Sequence, residues 1–288
     1  MIEHDQNSFL DYRRSQEQQH FAQVDSSDPM SSLLSVEINC SELCNRTCVF
    51  CPRHDATVYP NQNLNMSVDL AQRIGQQLAE FNYRGKISFS GYGENFLNKQ
   101  FAEIVKVIRQ QLPDNVIECN TNGDKITLAM AQAVYQAGLS KLYVNLYDGP
   151  EQREEFDKIF TEFPSDWYMY RRHWSPEDHG MILNNRGGIV TWVTQPAHPG
   201  RPCYYTSYKM MIDWNGNVLF CSNDWARNHI VGNLYHHSIK QIWLGPKLMD
   251  YRRRLGQGYR DFEPCKSCSV PGDLFGQQSY EVLMKSCE

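Results

Sequence analysis

Hydrophobic and polar positions begin to alternate at Leu33-Leu34-Ser35-Val36-Glu37-Ile38, a period of two that predicts a first β-strand. Ser67 then stands where an N-cap belongs, ahead of Leu70, Ile74, Leu78 and Phe81 at the spacing of one helical face. The alternation repeats. Lys86 to Ser90 reads as a second strand, and Phe101, Ile104, Val105, Ile108 and Leu112 form a helix stripe ended by Pro113. Val116 to Cys119 is a third strand, followed by a helix over roughly 127–137 closed by Gly138. Leu142 to Tyr147 is a fourth strand and Glu151 to Phe160 a further helix, with weaker strands at Trp167 to Tyr170 and Met181 to Leu183. Strand–helix alternation implies right-handed βαβ units and a parallel sheet. About six strands are too few to close an eight-stranded barrel, so the pattern predicts an α/β fold shaped as an open, partial (β/α)6 barrel.

Beyond residue 195 the character changes. Tyr208 to Asp213, the dipeptide Asn215-Gly216, and Val218 to Cys221 make a β-hairpin signal, two apolar runs around an Asn-Gly turn. Ser238 caps a helix expected to turn Ile239, Ile242, Trp243 and Met249 inward. The chain thus divides into an N-terminal arm over 1–32, a partial barrel over 33–195 and a small hairpin-and-helix domain over 196–288.

Composition narrows the function. No apolar run approaches the roughly 18 residues of a membrane span, and the polar stretch Met1 to Met30 is no signal peptide. A net charge of −5 offers no footprint for nucleic acid. Arg252-Arg253-Arg254 is the one basic run, read as cations complementing a helix C-terminus. Ten cysteines without an export signal argue for metal ligation in a reducing, cytoplasmic setting rather than for disulfides.

Cys44, Cys48 and Cys51 carry the strongest chemistry. Their C-x3-C-x2-C spacing follows the first strand, where a parallel α/β sheet presents its working loops. Thiolates are the usual ligands of iron–sulfur clusters, and four close a cubane. Three leave one iron open, the feature that separates a working metal site from a structural one. A zinc site is the bland alternative, and no His stands nearby at zinc-finger spacing.

The loop Cys44-Asn45-Arg46-Thr47-Cys48-Val49-Phe50-Cys51 resembles the signature of the radical S-adenosylmethionine (SAM) enzymes. The resemblance implies a [4Fe–4S] cluster whose open iron is chelated by SAM, and reductive cleavage of SAM to a radical that abstracts substrate hydrogen. It also implies roles elsewhere. Phe50 matches an aromatic whose backbone meets the adenine. Gly91-Tyr92-Gly93-Glu94 resembles the Gly-Gly-Glu-Pro motif that binds the SAM amino group, with Tyr92 and Asn95 as departures from it. Thr121 and Asn122, after the third strand, and Asn145, in the fourth, are further candidates for SAM contact. On their own these segments read equally as ordinary turns and a satisfied interior amide.

Cys203, Cys221, Cys265 and Cys268 form a second group, drawn from three separated segments. Four thiolates tie together a region too small to build its own core. The spacing C-x12-G-x4-C followed by C-x2-C resembles the SPASM/twitch extension of radical SAM enzymes, in its shorter form with one auxiliary [4Fe–4S] cluster. Structural zinc on the same thiolates is the alternative. Cys40, Cys119 and Cys287 have no partner at ligand spacing and read as small buried hydrophobes.

Among radical SAM enzymes, the cysteine spacing resembles that of the twitch radical dehydrogenases of aminocyclitol (deoxystreptamine) biosynthesis. That resemblance implies that Arg186, in Asn184-Asn185-Arg186-Gly187-Gly188, orients the reacting hydroxyl, since an Arg stays protonated. The expected reaction is a two-electron oxidation of a hydroxyl carbon in a small sugar, aminocyclitol or nucleotide sugar, with a flavodoxin- or ferredoxin-like electron donor. Modification of a ribosomal peptide is the runner-up; only about 32 residues precede the barrel, fewer than the leader-binding module of many peptide-modifying relatives. A redox-neutral epimerase, using a Cys as hydrogen donor, and a non-enzymatic metal scaffold complete the alternatives.

Overall fold

The computed structural model describes residues 3–4, 11–12, 15–16, 18, 21–173, 184–193 and 196–286. Cys287 and the strand candidate Met181 to Leu183 lie outside them. A short strand β1 (Glu3–His4) precedes four strand–helix repeats and a fifth strand. These are β2 (Ser35–Ile38) with α1 (Val68–Ala79), β3 (Lys86–Phe89) with α2 (Phe101–Gln111), β4 (Ile117–Thr121) with α3 (Leu128–Gln136), β5 (Lys141–Leu146) with α4 (Pro150–Phe160), and then β6 (Tyr168–Arg172). Ser67 caps α1 by accepting from Leu70 N at 3.2 Å, and Thr127 caps α3 by accepting from Met130 N at 3.3 Å.

One sheet runs in the order β1-β6-β5-β4-β3-β2-β7-β8-β9, where β7 (Lys209–Ile212), β8 (Asn217–Leu219) and β9 (Ile230–Asn233) follow the barrel repeats. Every pair from β1 to β7 is parallel, and β8 and β9 are antiparallel. The ends of the sheet do not meet among the described residues, so the expected partial barrel is open. The alternation in β2 has a plain structural meaning, because successive side chains point to opposite faces. Val36 and Ile38 pack into the helix-covered core, with Ile87 and Phe89 beside them, whereas Ser35, Glu37, Ser88 and Ser90 turn to the concave side.

Three features differ from the sequence reading. The hairpin does not stand apart from the barrel: its first strand β7 pairs parallel with β2, Ser35 opposite Lys209 through Ile38 opposite Ile212. The helix after Ser238 is two helices, α5 (Ile239–Trp243) and α6 (Pro246–Gly256), because Gly245 and Pro246 end one and start the other. Arg252 is not a solvated cation at a helix end. It is fully buried, donates from Nε to the Thr206 carbonyl at 2.9 Å and stacks 3.9 Å from the Trp243 ring. A last helix, α7 (Gln277–Lys285), packs against α6.

Candidate active site

Cys44, Cys48 and Cys51 occupy the loop between β2 and α1, at the C-terminal edge of the parallel strands. The loop is pinned at several points. Asn61 grips the Cys44 backbone from both sides, accepting from its N–H and donating to its carbonyl, each at 2.9 Å. Cys51 N donates to Cys48 O at 2.9 Å, and Arg46 pairs with Asp124 at 2.7 Å and with Asp148. All three thiols line one cavity of about 580 Å³, a size typical of small-molecule sites. Burial pushes the Cys44 and Cys51 thiols above the ordinary thiol range. Cys48 is pushed up to about 12, first by burial and then by the neighbouring Cys51 and Cys44.

The loop after β3 reaches the cysteine loop through a glycine. A Cβ on Gly93 would sit 1.9 Å from the Ser41 carbonyl oxygen, so no larger residue fits without moving backbone. Glu94 follows, buried, with Oε1 accepting from Thr121 Oγ1 at 2.7 Å and Oε2 from Asn122 N at 2.8 Å. Burial raises its carboxyl above the usual range despite these bonds. Gly91 and Tyr92 also line the cavity, yet the Tyr92 ring leaves it to pack 4.3 Å from the Trp225 ring, its hydroxyl 3.4 Å from the Cys221 carbonyl. Asn95, where the motif usually has proline, ties the ends of β3 and β4 by donating to Phe89 O at 3.1 Å and Asn120 O at 3.0 Å.

Asn145 lines the cavity with both ends of its amide engaged: Nδ2 donates to Thr121 O at 2.9 Å and Oδ1 lies 3.1 Å from His173 Nε2. His173 was not singled out from the sequence. It stacks on Tyr147 with centroids 5.1 Å apart and lies 5.9 Å from the Phe50 ring, so Phe50, Tyr147 and His173 form an aromatic wall beside the cysteines. Glu37, Arg171, Trp225 and Asp273 are further lining residues that the sequence did not mark. Alternation in β2 and β6 places Glu37 and Arg171 on the concave face, but nothing local separates a polar residue at a site from one at a surface.

Cys203, Cys221, Cys265 and Cys268 come together. The Cys221 thiol is raised well above its ordinary value by burial, and the thiols of Cys203, Cys265 and Cys268 each add to it. Asp273 N donates to Cys203 Sγ and Asn223 N to Cys221 Sγ, both at 3.4 Å, the kind of contact that tunes a sulfur ligand. Among the described residues no three His, Cys, Asp or Glu converge closely enough to hold one metal ion. Asn185 braces this region by donating to Ser267 O at 2.7 Å and accepting from Ser269 N at 3.0 Å. The next residue, Arg186, lines the cavity in a left-handed backbone conformation with φ 50°. Its buried Nε has no partner among the described residues, and no ion pair there engages its guanidinium. Cys40 and Cys119 are buried and outside the cavity wall.

Comparisons with known proteins agree with this geometry. A model of the radical SAM superfamily matches residues 38–169, and one of the SPASM iron–sulfur cluster-binding domain matches residues 203–269. The chain is 28% identical over 246 residues to the S-adenosyl-L-methionine-dependent 2-deoxy-scyllo-inosamine dehydrogenase of Niallia circulans, covering 84% of this chain and 94% of that one. The crystal structure of BtrN with AdoMet and 2-DOIA superposes with a TM-score of 0.70 at 25% identity, covering 84% of this chain and 97% of that chain. BtrN in an open conformation gives a TM-score of 0.62 at 24% identity, covering 83% and 92%. The chain joins a radical SAM domain to a SPASM iron–sulfur domain, and it is a radical SAM oxidoreductase that uses SAM, a [4Fe–4S] cluster and an auxiliary cluster.

Proposed function

We propose that the enzyme oxidises a hydroxyl-bearing carbon of a small aminocyclitol or related sugar to a ketone. Cys44, Cys48 and Cys51 hold the SAM-binding cluster, and Cys203, Cys221, Cys265 and Cys268 hold the auxiliary one. The bound groups supply a radical that takes the carbinol hydrogen atom and an acceptor for one electron; with loss of the hydroxyl proton, two electrons leave the substrate in all. The chain's own residues bind and orient. Glu94 presents a carboxylate to the SAM ammonium, with Thr121 and Asn122 fixing that carboxylate. Phe50, Tyr147 and His173 offer an aromatic wall to the adenine, and Asn145 holds His173 in place. Arg186 orients and polarises the reacting hydroxyl. Glu37, which accepts from Ser90 at 2.6 Å and Tyr205 at 2.9 Å, adds a carboxylate to the cavity wall, suited to a substrate ammonium.

The observation that carries this reading is the single cavity shared by the first cysteine loop, by Arg186 and by Ser222 and Trp225 beside Cys221. A substrate held there is within reach of both cluster sites. Among the described residues the same wall weighs against an epimerase, because the cysteines lining it there are Cys44, Cys48 and Cys51, all needed for the cluster. The aminocyclitol preference follows the 2-deoxy-scyllo-inosamine dehydrogenase named above. A flavodoxin- or ferredoxin-like protein is the proposed electron donor.

The test is an anaerobic reaction of reduced enzyme with SAM and deuterated aminocyclitols. Label entering 5′-deoxyadenosine together with a ketone product supports the proposal. A product at the substrate's oxidation level, or 5′-deoxyadenosine without label from any such substrate, sinks it.

A further inference from the structure

We propose that Glu42 is a positioning residue: one buried carboxylate locks both ends of the first cysteine loop to the hairpin that carries Cys221, fixing how the two cluster sites face the cavity between them. The proposal rests on the two-cluster reading above. Glu42 stands two residues before Cys44 and is 4% exposed. Its Oε2 accepts from Arg53 Nη2 at 3.2 Å and from the Tyr59 hydroxyl at 3.0 Å, and its Oε1 from Asn39 Nδ2 at 2.9 Å and from Arg227 Nη2. Arg53 stands two residues after Cys51, and its Nε donates to the Tyr92 carbonyl. Arg227 comes from the turn after Cys221, 185 residues from Glu42 in the chain. Its Nε donates to Asp213 Oδ2 at 2.5 Å and its Nη1 to the Tyr59 oxygen.

One guanidinium therefore bridges three acceptors that the chain brings from three places: the segment entering the cysteine loop, the segment leaving it, and the end of β7. Arg227 holds φ at 54°, a region that long side chains rarely adopt, and its turn is shaped around this contact. Two carboxylates, Glu42 and Asp213, face two guanidiniums, Arg53 and Arg227, which meets the requirement that buried charge be paired and hydrogen-bonded. Glu42, Tyr59 and Arg227 are absent from the cavity wall, so they bear on the reaction through placement and not through contact.

The experiment uses anaerobically reconstituted holoenzyme carrying Glu42→Gln or Arg227→Gln. Both variants are expected to keep about eight irons per chain, the content of two four-iron clusters. Both should still form 5′-deoxyadenosine, with about tenfold less ketone for each one formed, because small misplacements weigh heavily on aligned reactants. The magnetic coupling between the two reduced clusters, read by electron paramagnetic resonance without substrate, should shift or broaden, which a plain loss of stability would not produce. Arg227→Lys keeps the charge but cannot span three acceptors, so it should behave as Arg227→Gln does. Tyr59→Phe removes one hydroxyl, leaves every charge in place and should shift the coupling in the same direction by less. If the charge variants fail to hold iron, Tyr59→Phe decides alone: altered coupling supports the proposal and unaltered coupling overturns it. An unchanged ketone ratio with unchanged coupling in the charge variants, or full rescue by Arg227→Lys, also overturns it. Failure of the underlying reading looks different, since the unsubstituted enzyme would then lack one cluster or form no 5′-deoxyadenosine.

Discussion

Arg186 illustrates how much one residue's setting adds to its identity. An arginine near a domain junction is ordinarily paired with a carboxylate. Here it lines the cavity in a left-handed backbone conformation without such a partner among the described residues. Arg186→Gln is expected to leave SAM binding intact and to lower ketone formation by about a hundredfold, the scale of losing an orienting contact in the transition state. Single-turnover kinetics check this, because 5′-deoxyadenosine should then outrun product. Arg186→Lys should recover little, since an ammonium lacks the planar fork. The thiols support a second prediction. In the metal-free chain burial holds Cys44, Cys48 and Cys51 in the neutral form, Cys48 up to about 12. Iron binds thiolate, so each ligand must lose a proton below its raised pKa, and cluster assembly releases protons. Anaerobic iron uptake should therefore go on strengthening above about pH 9, where an ordinary thiol is already largely ionised. Uptake that levels off by about pH 9 would contradict the burial-driven shift.

At the scale of elements, local patterning was informative where the physics is local. Ser67 and Ser238 each cap the helix expected of them, the helix expected over roughly 127–137 begins after a Thr127 cap, and β2 through β6 fall within a residue or two of the apolar runs. What sequence did not reveal depends on partners far along the chain. β7 looked like half of an independent hairpin, because nothing in Lys209–Ile212 announces that its other edge pairs with Ser35–Ile38. β9, Ile230–Asn233, shows little burial and so little alternation. Arg252 read as a surface cation because its acceptors, Thr206 and Trp243, are supplied by other elements. The candidate site divides in the same way. Cysteine spacing was legible because ligation imposes it, whereas Glu37, His173 and Trp225 enter the cavity only through strand order. Gly93 shows where one element presses on another. Gly93→Ala would drive a methyl group into the Ser41 carbonyl, displacing the loop that carries Glu94 against the loop that carries Cys44. Overpacking of this kind costs about 1–3 kcal/mol. The expected outcome is a lower unfolding temperature together with weaker SAM binding, and a protein unchanged in both would show that the loops do not meet as described.

Over the whole molecule, the continuous sheet explains how two cysteine groups about 150 residues apart come to serve one cavity. β2 leads directly into the first group, while β7, paired beside it, turns back through antiparallel β8 to Cys221 at the other end of the strands, so one sheet carries both groups to the cavity from neighbouring strands. The remaining ligands, Cys265 and Cys268, arrive from the segment beyond α6 and are held against the Asn185 loop. This layout predicts that the second group can be emptied without dismantling the first. Changing both Cys265 and Cys268 to Ala should lower iron from about eight to about four atoms per chain, since two thiolates are one fewer than even the open first site uses. The three thiols of the first loop, braced independently by Asn61 and by the Arg46 pair with Asp124, should keep their cluster and still cleave SAM. Ketone formation should fall to background, because the substrate's second electron has no acceptor. Iron analysis, 5′-deoxyadenosine yield and product yield on the same preparation separate these effects. Four irons accompanied by one zinc in the unsubstituted protein, or undiminished ketone from the variant lacking Cys265 and Cys268, would mean that the second group is a structural clamp and that the electron leaves by another route.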